Sequence, residues 1–320
     1  MTRYLLLRLL SVVPTLFGIS VLVFGVTYLI PGDPALIIAG NDAPPEVVEA
    51  IRERWGLNQP VYVRYGAWLA NVLRGNLGES YFSHQTVLQL IGNALPVTVE
   101  LALVSMAIAV AIAIPTGVVS AVKAGSWLDL AAAGIAFAGL SIPGFWLGIM
   151  LMYVFAVLLQ LFPAGGYTPL SAGLLPNLAS MVLPAIALGT FASTQLMRYL
   201  RASLLDVLHA DHVRTARAKG LSGRLVLVRH TLRNALIPFT TVLGVQVGYI
   251  LGGTIITESV FALPGIGRLV LSAVLNRDYQ VATGIILLIA ASFVVINLAV
   301  DLLYPVLDPR IGLGETARSR

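Results

Sequence analysis

Between Asp129 and Arg198 the chain runs for 68 residues without one Asp, Glu, Lys or Arg. A helix rising 1.5 Å per residue needs about 20 apolar residues to cross a hydrocarbon core of about 30 Å, so this stretch holds two crossings and the turn between them. No water-soluble fold needs such a run. The composition agrees, with 58% hydrophobic residues, 11% charged residues and a mean hydropathy of +0.88, against about 25% charged in soluble domains. The sequence specifies an all-α integral membrane protein.

Six runs are long and apolar enough to span, at residues 9–30, 96–122, 130–161, 178–197, 235–256 and 281–300. In the first, 14 of 22 residues are Leu, Ile, Val or Phe, each favouring insertion by about 0.3–0.6 kcal/mol. The alternative for residues 1–30 is a secretory leader, with Arg3 and Arg8 ahead of the apolar stretch. That stretch exceeds a typical h-region of about 7–15 residues, and Pro31-Gly32-Asp33-Pro34 is no cleavage site. With the N-terminus in the cytosol, fourteen of the twenty Lys and Arg residues fall on the cytosolic side and six on the other. The positive-inside rule therefore predicts both termini in the cytosol of a multi-pass cell-membrane protein. The net charge of +5 is accounted for without nucleic acid.

The expected organisation is residues 1–30 as N-terminus and first span, 31–95 as an external helical region, 96–309 as the membrane core, and 310–320 as a cytosolic tail. In the external region, Pro44-Pro45-Glu46 starts a helix whose Val47, Ile51 and Trp55 share a face and which Gly56 ends. Residues 61–74 form a second amphipathic stretch, with Tyr65, Trp68, Leu69 and Val72 on one side, and it stops at Gly75. This region reads equally as a plug on the helix ends and as a docking surface.

Inside the spans, Pro143-Gly144 interrupts the third run and bends it, as a packing feature or a gate. Gly244, Gly248 and Gly252 repeat a G-x-x-x-G spacing that puts three glycines on one face of the fifth span, with Gln246 on another face. Close packing within the subunit and contact across a subunit interface or beside a pore both satisfy that pattern. Gln195 and Asn297 are polar in the same two-sided way. These residues are the candidates for helix packing or the translocation path.

Several chemistries are missing. With no cysteine there is no thiol nucleophile, thiolate metal site or disulfide. There is no Walker loop and no H-E-x-x-H. His209 and His212 are three apart but have no third ligand nearby. Glu100, Glu258, Asp278 and Asp301 fall at or beyond the ends of spans, whereas a proton-coupled carrier typically carries a central charge. An enzyme reading finds no catalytic constellation, and the energy for transport is expected from elsewhere.

Residues 198–233 carry eight of the twenty Lys and Arg residues in a helix-patterned segment. Leu204, Leu205, Leu208 and Val213 give an apolar stripe, while small Ala216, Ala218 and Gly220 would let a short helix sink into a groove on another protein. The sequence Arg214-Thr215-Ala216, three further residues, then Gly220 resembles the E-A-A-x-x-x-G loop motif of the membrane subunits of ATP-binding-cassette (ABC) importers, with Arg214 and Thr215 replacing the Glu and first Ala. R-L-L-S-V-V-P-T-L-F-G-I-S-V-L-V-F at 8–24, I-P-G-D-P-A at 30–35, G-N-L-G-E-S-Y at 75–81 and L-P-V-T-V-E-L-A at 95–102 are similar to the B-type subunit of the dipeptide/oligopeptide/nickel permease family. So are R-N-A-L-I-P at 233–238, E-S-V-F-A-L-P-G-I-G-R-L at 258–269, N-R-D-Y at 276–279 and D-L-L-Y-P-V-L-D-P-R-I at 301–311.

The resemblance implies a six-helix type I ABC importer permease fold and a C-type sibling or second copy of this chain. It also implies two cytosolic ATPases that bind the ATP and Mg, with no cofactor in this chain, and an external substrate-binding protein. By the same resemblance the helix around residues 206–220 is the coupling helix that seats in an ATPase groove, through Asp206, Asp211, Arg214, Thr215, Ala216, Arg217, Lys219 and Gly220. Peptides are the favoured cargo, with nickel or another small solute and a proton-coupled peptide carrier as rivals.

Overall fold

A computed structural model describes the backbone of residues 2–29, 33–40 and 42–307, and the side chains of 10–25, 33–40 and 42–299. The terminal charges used to orient the chain, Asp301 and the tail 310–320 lie outside the described side chains.

The described chain is helical with one isolated β-bridge, between Glu79 and Thr86. Helix α1 (Thr2–Leu29) is followed by three shorter helices, α2 (Pro34–Ala39), α3 (Pro45–Arg54) and α4 (Val61–Leu73). Then come α5 (Val87–Val122), α6 (Trp127–Ser141) and α7 (Gly144–Leu151), which continues as a π-helix at Met152–Leu158. Next, α8 (Leu174–Leu208) leads into the short α9 (Asp211–Ala218). From there α10 (Gly223–Leu225) passes through a π-helical turn, Val226–Leu232, into α11 (Arg233–Val260), and α12 (Ile266–Leu275) and α13 (Tyr279–Leu307) complete the order.

Among the described residues four helices are long and apolar enough to cross a membrane: α5, α8, the α10–α11 rod, and Tyr279–Ala299 of α13. The third expected span is α6 followed by α7 and its π-helix, two legs bent by 102°. That angle corrects the expected proline kink to a full break. Ile142, the residue before proline, is extended at φ −83°, ψ 122°, so α6 stops and α7 starts afresh behind Pro143. Each leg has 15 residues and rises only about 22 Å, short of a hydrocarbon core of about 30 Å. In α1 the described apolar side chains run from Leu10 to Gly25.

Real helices also overrun their apolar runs. Helix α5 begins at Val87 rather than residue 96, and α8 continues to Leu208 rather than stopping at 197. The first third of the expected loop 198–233 is thus a continuation of a span, and the coupling segment 206–220 divides between the end of α8 and α9.

The chain packs as two compact units, one formed by residues 1–96 and 265–295, the other by 97–264 and 296–320. In the first, α3 and α4 match their expected starts and stops: Pro44 caps α3, Gly56 follows it at φ 61°, and Gly75 follows α4 at φ 80°. The face of α3 differs by one position, since Val48 is buried while Val47 and Trp55 are exposed. Trp55 instead meets Tyr81 edge-on at 5.0 Å. Tyr65 and Trp68 of α4 pack on Phe24 of α1 at 5.4 and 5.5 Å, and the Tyr65 hydroxyl lies 2.8 Å from the Ser20 hydroxyl. Asp33 caps α2 through the Ala35 N–H at 2.9 Å and pairs with Arg52 of α3.

In the second unit, α8 and α11 are the central pair, with α6 and α7 against α8. Small residues set the spacing. A Cβ on Gly189 of α8 would stand 2.7 Å from the carbonyl oxygen of Ser105 on α5, and one on Gly148 of α7 would meet the Phe261 ring at 3.1 Å.

Candidate functional site

Two places in the second unit concentrate polar groups. One is the connection from α8 to α11, and the other is a cleft among the apolar helices.

The connection is held to its own chain in three ways. At the base, Arg201 on α8 reaches Asp129 in the first turn of α6, with Nε to Oδ1 and Nη2 to Oδ2 both at 2.8 Å. Ser120 of α5 and the Gly125 N–H, at 2.9 Å, also donate to this carboxylate. Its four donors come from α5, α8 and the turn before α6, so one buried anion ties three elements together. Further along, Val213 and Ala216 of α9 pack on Val226 of the π-turn and on Val207. Finally, Ser203 donates to the Ala235 carbonyl at 3.2 Å, and Asn234 Nδ2 lies 3.3 Å from His212 Nε2.

This geometry corrects the role expected for Ala216, which is small because it faces inward, 6% exposed, against its own chain. The apolar stripe also turns inward, with Leu204 and Val213 fully buried. The outward face of α9 is polar and basic: Asp211, Arg214, Thr215, Arg217 and Lys219 are exposed, as is Asp206 at the end of α8. Arg214 and Asp211 form only a loose exposed pair at 3.9 Å. His209 and His212 are engaged separately, His209 Nδ1 lying 2.7 Å from the Leu205 carbonyl oxygen.

Gly220 acts through the backbone. It sits at φ 75°, and its N–H donates to the Arg217 carbonyl at 2.9 Å while the Leu221 N–H reaches the Ala216 carbonyl at 3.4 Å. This is the Schellman pattern that ends a helix, and its left-handed position favours glycine. Nothing lies within 4 Å of where a Gly220 Cβ would be, so its requirement is conformational.

The cleft, about 240 Å³, lies among α6, α7, α8 and α11 at the break in the third run. Its walls include Ile142, Phe145, Thr190, Gln246, Tyr249 and Thr257, and Gly144 stands at its edge. Gln246 is 5% exposed, and its Oε1 is sealed without a donor. Of the three glycines expected on one face of α11, Gly244 and Gly248 are buried but Gly252 is exposed with nothing within 4 Å. A spacing of four advances about 40° per step at 3.6 residues per turn, so the third glycine has rotated away from the first two. Gly253 is the close one, its Cβ position 2.8 Å from Leu188 Cδ1. Gln195 is half-buried and Asn297 exposed, and neither lines the cleft.

Several contacts were hidden from sequence reading. Glu258 lies at the end of a span as expected, yet it is fully buried and accepts a 2.7 Å hydrogen bond from Thr98. Glu100 accepts from the Tyr167 hydroxyl at 2.8 Å. Burial, reinforced by that carboxylate, pushes the Tyr167 phenol up to about 12. Ser80 donates to Asp278 at 2.6 Å, joining the G-N-L-G-E-S-Y and N-R-D-Y segments. Only proximity in the fold reveals these pairs, which lie 67 to 198 positions apart.

A bundle of apolar spans with one broken helix, a cleft at the break and a rigidly braced basic helix at one end defines a membrane-spanning transport subunit. The chain belongs to the family described as binding-protein-dependent transport system inner membrane component, whose model matches residues 113–313, while the N-terminal model of the same systems matches residues 1–102. It is similar to a putative peptide transport system permease of Brucella suis, at 42% identity over 97% of this chain and 99% of that one. It is similar also to the dipeptide permease DppB of Alkalihalophilus pseudofirmus, at 39% identity with 97% and 99% covered. The glutathione permease GsiC of Escherichia coli O6:H1 is 41% identical over the same shares. Among solved structures, the inward-facing methionine ABC transporter MetNI shares the fold at a TM-score of 0.57 and 17% identity, covering 69% of this chain and 97% of that one.

Proposed function

We propose that this chain is the B-type permease subunit of an ATP-driven importer of peptides, forming half of the translocation path. Its partners are a C-type sibling permease, two cytosolic ABC ATPases that bind the ATP and Mg, and an external binding protein that delivers the cargo. Relatives named for peptide, dipeptide and glutathione transport at 39–42% identity support the substrate class. The positive-inside count supports cytosolic termini, which puts α9 in the cytosol and α2–α4 outside.

The observation that carries the reading is the construction of α9: a short helix with an exposed basic face and its apolar side locked onto the start of α11. Such a helix receives force on one face and passes it through Val213, Ala216 and Val226 to the rod that lines the cleft. ATP-driven closure of the ATPases would move α9 as a rigid body and switch the side to which the path opens. Coupling therefore needs Arg214, Arg217 and Lys219 for docking, Gly220 for ending the helix, and Asp129–Arg201 for bracing.

The experiment is affinity purification of the chain from its native membrane with mass spectrometry of its partners. Walker-motif ATPases and a second polytopic subunit are expected. Combined Arg214→Glu and Arg217→Glu changes should remove the ATPases and keep the second permease. Recovery of the chain alone, without any ATPase, would sink the proposal.

A further inference from the structure

The cleft beside the broken span contains one group with no part in holding the fold. Gln246 on α11 is 5% exposed, yet its Oε1 is sealed without a donor. A buried acceptor left unpaired is unfavourable compared with an apolar side chain of similar size, so a glutamine here calls for an account. The two threonine hydroxyls that share the cleft are spent as donors, Thr190 to the Ile186 carbonyl and Thr257 to the Gly253 carbonyl, while the third hydroxyl, on Tyr249, belongs to a side chain that is 64% exposed. Both threonines therefore face the cleft as acceptors. The remaining walls are largely apolar, including Ile142, Phe145, Leu147 and Ile250.

This set of groups selects among solutes. A hydrated ion would lose its water in such a lining without gaining a charge partner. A peptide segment brings apolar surface for the walls and, at each residue, one donor and one acceptor. A primary amide carries that same donor and acceptor pair. Its terminal torsion is soft and two-fold, so a half-turn exchanges carbonyl and NH₂ between the sealed side and the cleft. At about 240 Å³ the cleft is smaller than the roughly 300–1,000 Å³ of pockets that enclose a whole ligand. It accommodates one stretch of a chain in passage.

We infer that Gln246 forms a backbone-reading subsite on the translocation path, pairing its amide with a peptide group of the cargo. The inference rests on the peptide-import reading above. Because every peptide offers the same backbone group, the subsite recognises peptides as a class while leaving their side chains unread.

The test uses the complete complex purified from its own membrane and reconstituted in liposomes with its ATPases and loaded binding protein. Uptake of tri-alanine is compared with that of its analogue methylated on the internal backbone nitrogens, both at concentrations that saturate the binding protein. The wild-type complex is expected to transport the methylated peptide roughly three- to tenfold more slowly, as for one neutral hydrogen bond. Gln246→Leu should move both peptides at the lower rate, with ATPase stimulation unchanged, and Gln246→Asn should keep part of the discrimination.

Uptake by Gln246→Leu equal to wild type, or losses from substitution and methylation that simply add, would overturn the inference and leave peptide import standing. Loss of the second permease subunit from both variants would overturn it too, by placing the amide in a subunit contact. A wild-type complex that moves no alanine peptide would overturn the import reading and the subsite together.

Discussion

Two stretches of α8, its end at α9 and its middle, are built on opposite principles. Toward α9, α8 is braced by a carboxylate with four donors, a small apolar cluster and hydrogen bonds to the start of α11. At its middle, beside the broken span, it faces a cleft whose buried Gln246 amide lacks a donor for Oε1 and whose edge is a glycine with open space around it. The first arrangement has one low-energy geometry and the second tolerates several. A machine that converts a push at one end of a helix into a change of access at its middle requires this pairing, rigid where force enters and permissive where cargo passes.

The largest effect should come from breaking the brace. Asp129→Ala leaves Arg201 partly buried and unpaired, and removing one partner of a buried pair costs about 3–5 kcal/mol. With Arg201 34% exposed, solvent screening lowers the expected loss to about 2–3 kcal/mol, seen as reduced thermal stability of the detergent-solubilised chain. If the variant matched wild type in stability, the rigid half of the comparison would fail.

Next is a pair of glycines on opposite sides of the contrast. Gly189→Ala drives a Cβ to 2.7 Å from a backbone oxygen that has no rotamer to give, costing about 1–3 kcal/mol. Gly252→Ala meets nothing within this chain and, at a helix-interior position, should raise stability by up to about 1 kcal/mol. Should Gly252→Ala instead cost as much as Gly189→Ala once the complex is assembled, α11 would be shown to touch another subunit there.

Gly220→Ala places a side chain at φ 75° at a cost of about 1–2 kcal/mol. The loss should appear as faster amide exchange confined to α9 and the residues after it, with the brace unaffected. Spread of the exchange into α6 would mean that the two restraints act as one.

The smallest effect sharpens the comparison with a half-buried ion pair, Asp33 and Arg52. Burial works to raise the Asp33 carboxyl, but the hydrogen bond from Arg52, the Ala35 N–H and the Arg52 charge outweigh it and hold the group below 3.8. A lowered folded value means that the stabilisation is complete above pH 3.8 and fades as pH falls through the folded value. Asp33→Asn should therefore cost at most about 1 kcal/mol at neutral pH, measured as exchange in α2 and α3, and nothing at pH low enough to protonate Asp33.

Much of this architecture was legible because a bilayer imposes its own code. Apolar run lengths located the four helices long enough to span among the described residues, and the Pro44-Pro45 start and the Gly56 and Gly75 stops placed α3 and α4 within a residue or two. Helix overrun was not legible, since residues 198–208 are compatible with either loop or helix and tertiary contacts along α8 decide it. The side on which small residues serve was not legible either. Ala216 and Gly220 suggested a fit into a partner, whereas one packs on its own π-turn and the other supplies a backbone angle. The 102° break hid behind a Pro-Gly pair that also marks ordinary kinks, and the brace of Asp129 and Arg201 joins residues 72 apart.

The most direct test of the account exploits the absence of cysteine from this chain. Ala218→Cys on the exposed face of α9, labelled with a benzophenone maleimide and illuminated in the assembled complex, is predicted to crosslink to the ATPase. Gly252→Cys on α11, treated in the same way, should not. Crosslinking from both positions, or from Gly252→Cys alone, would contradict the claim that α9 is where force enters the permease.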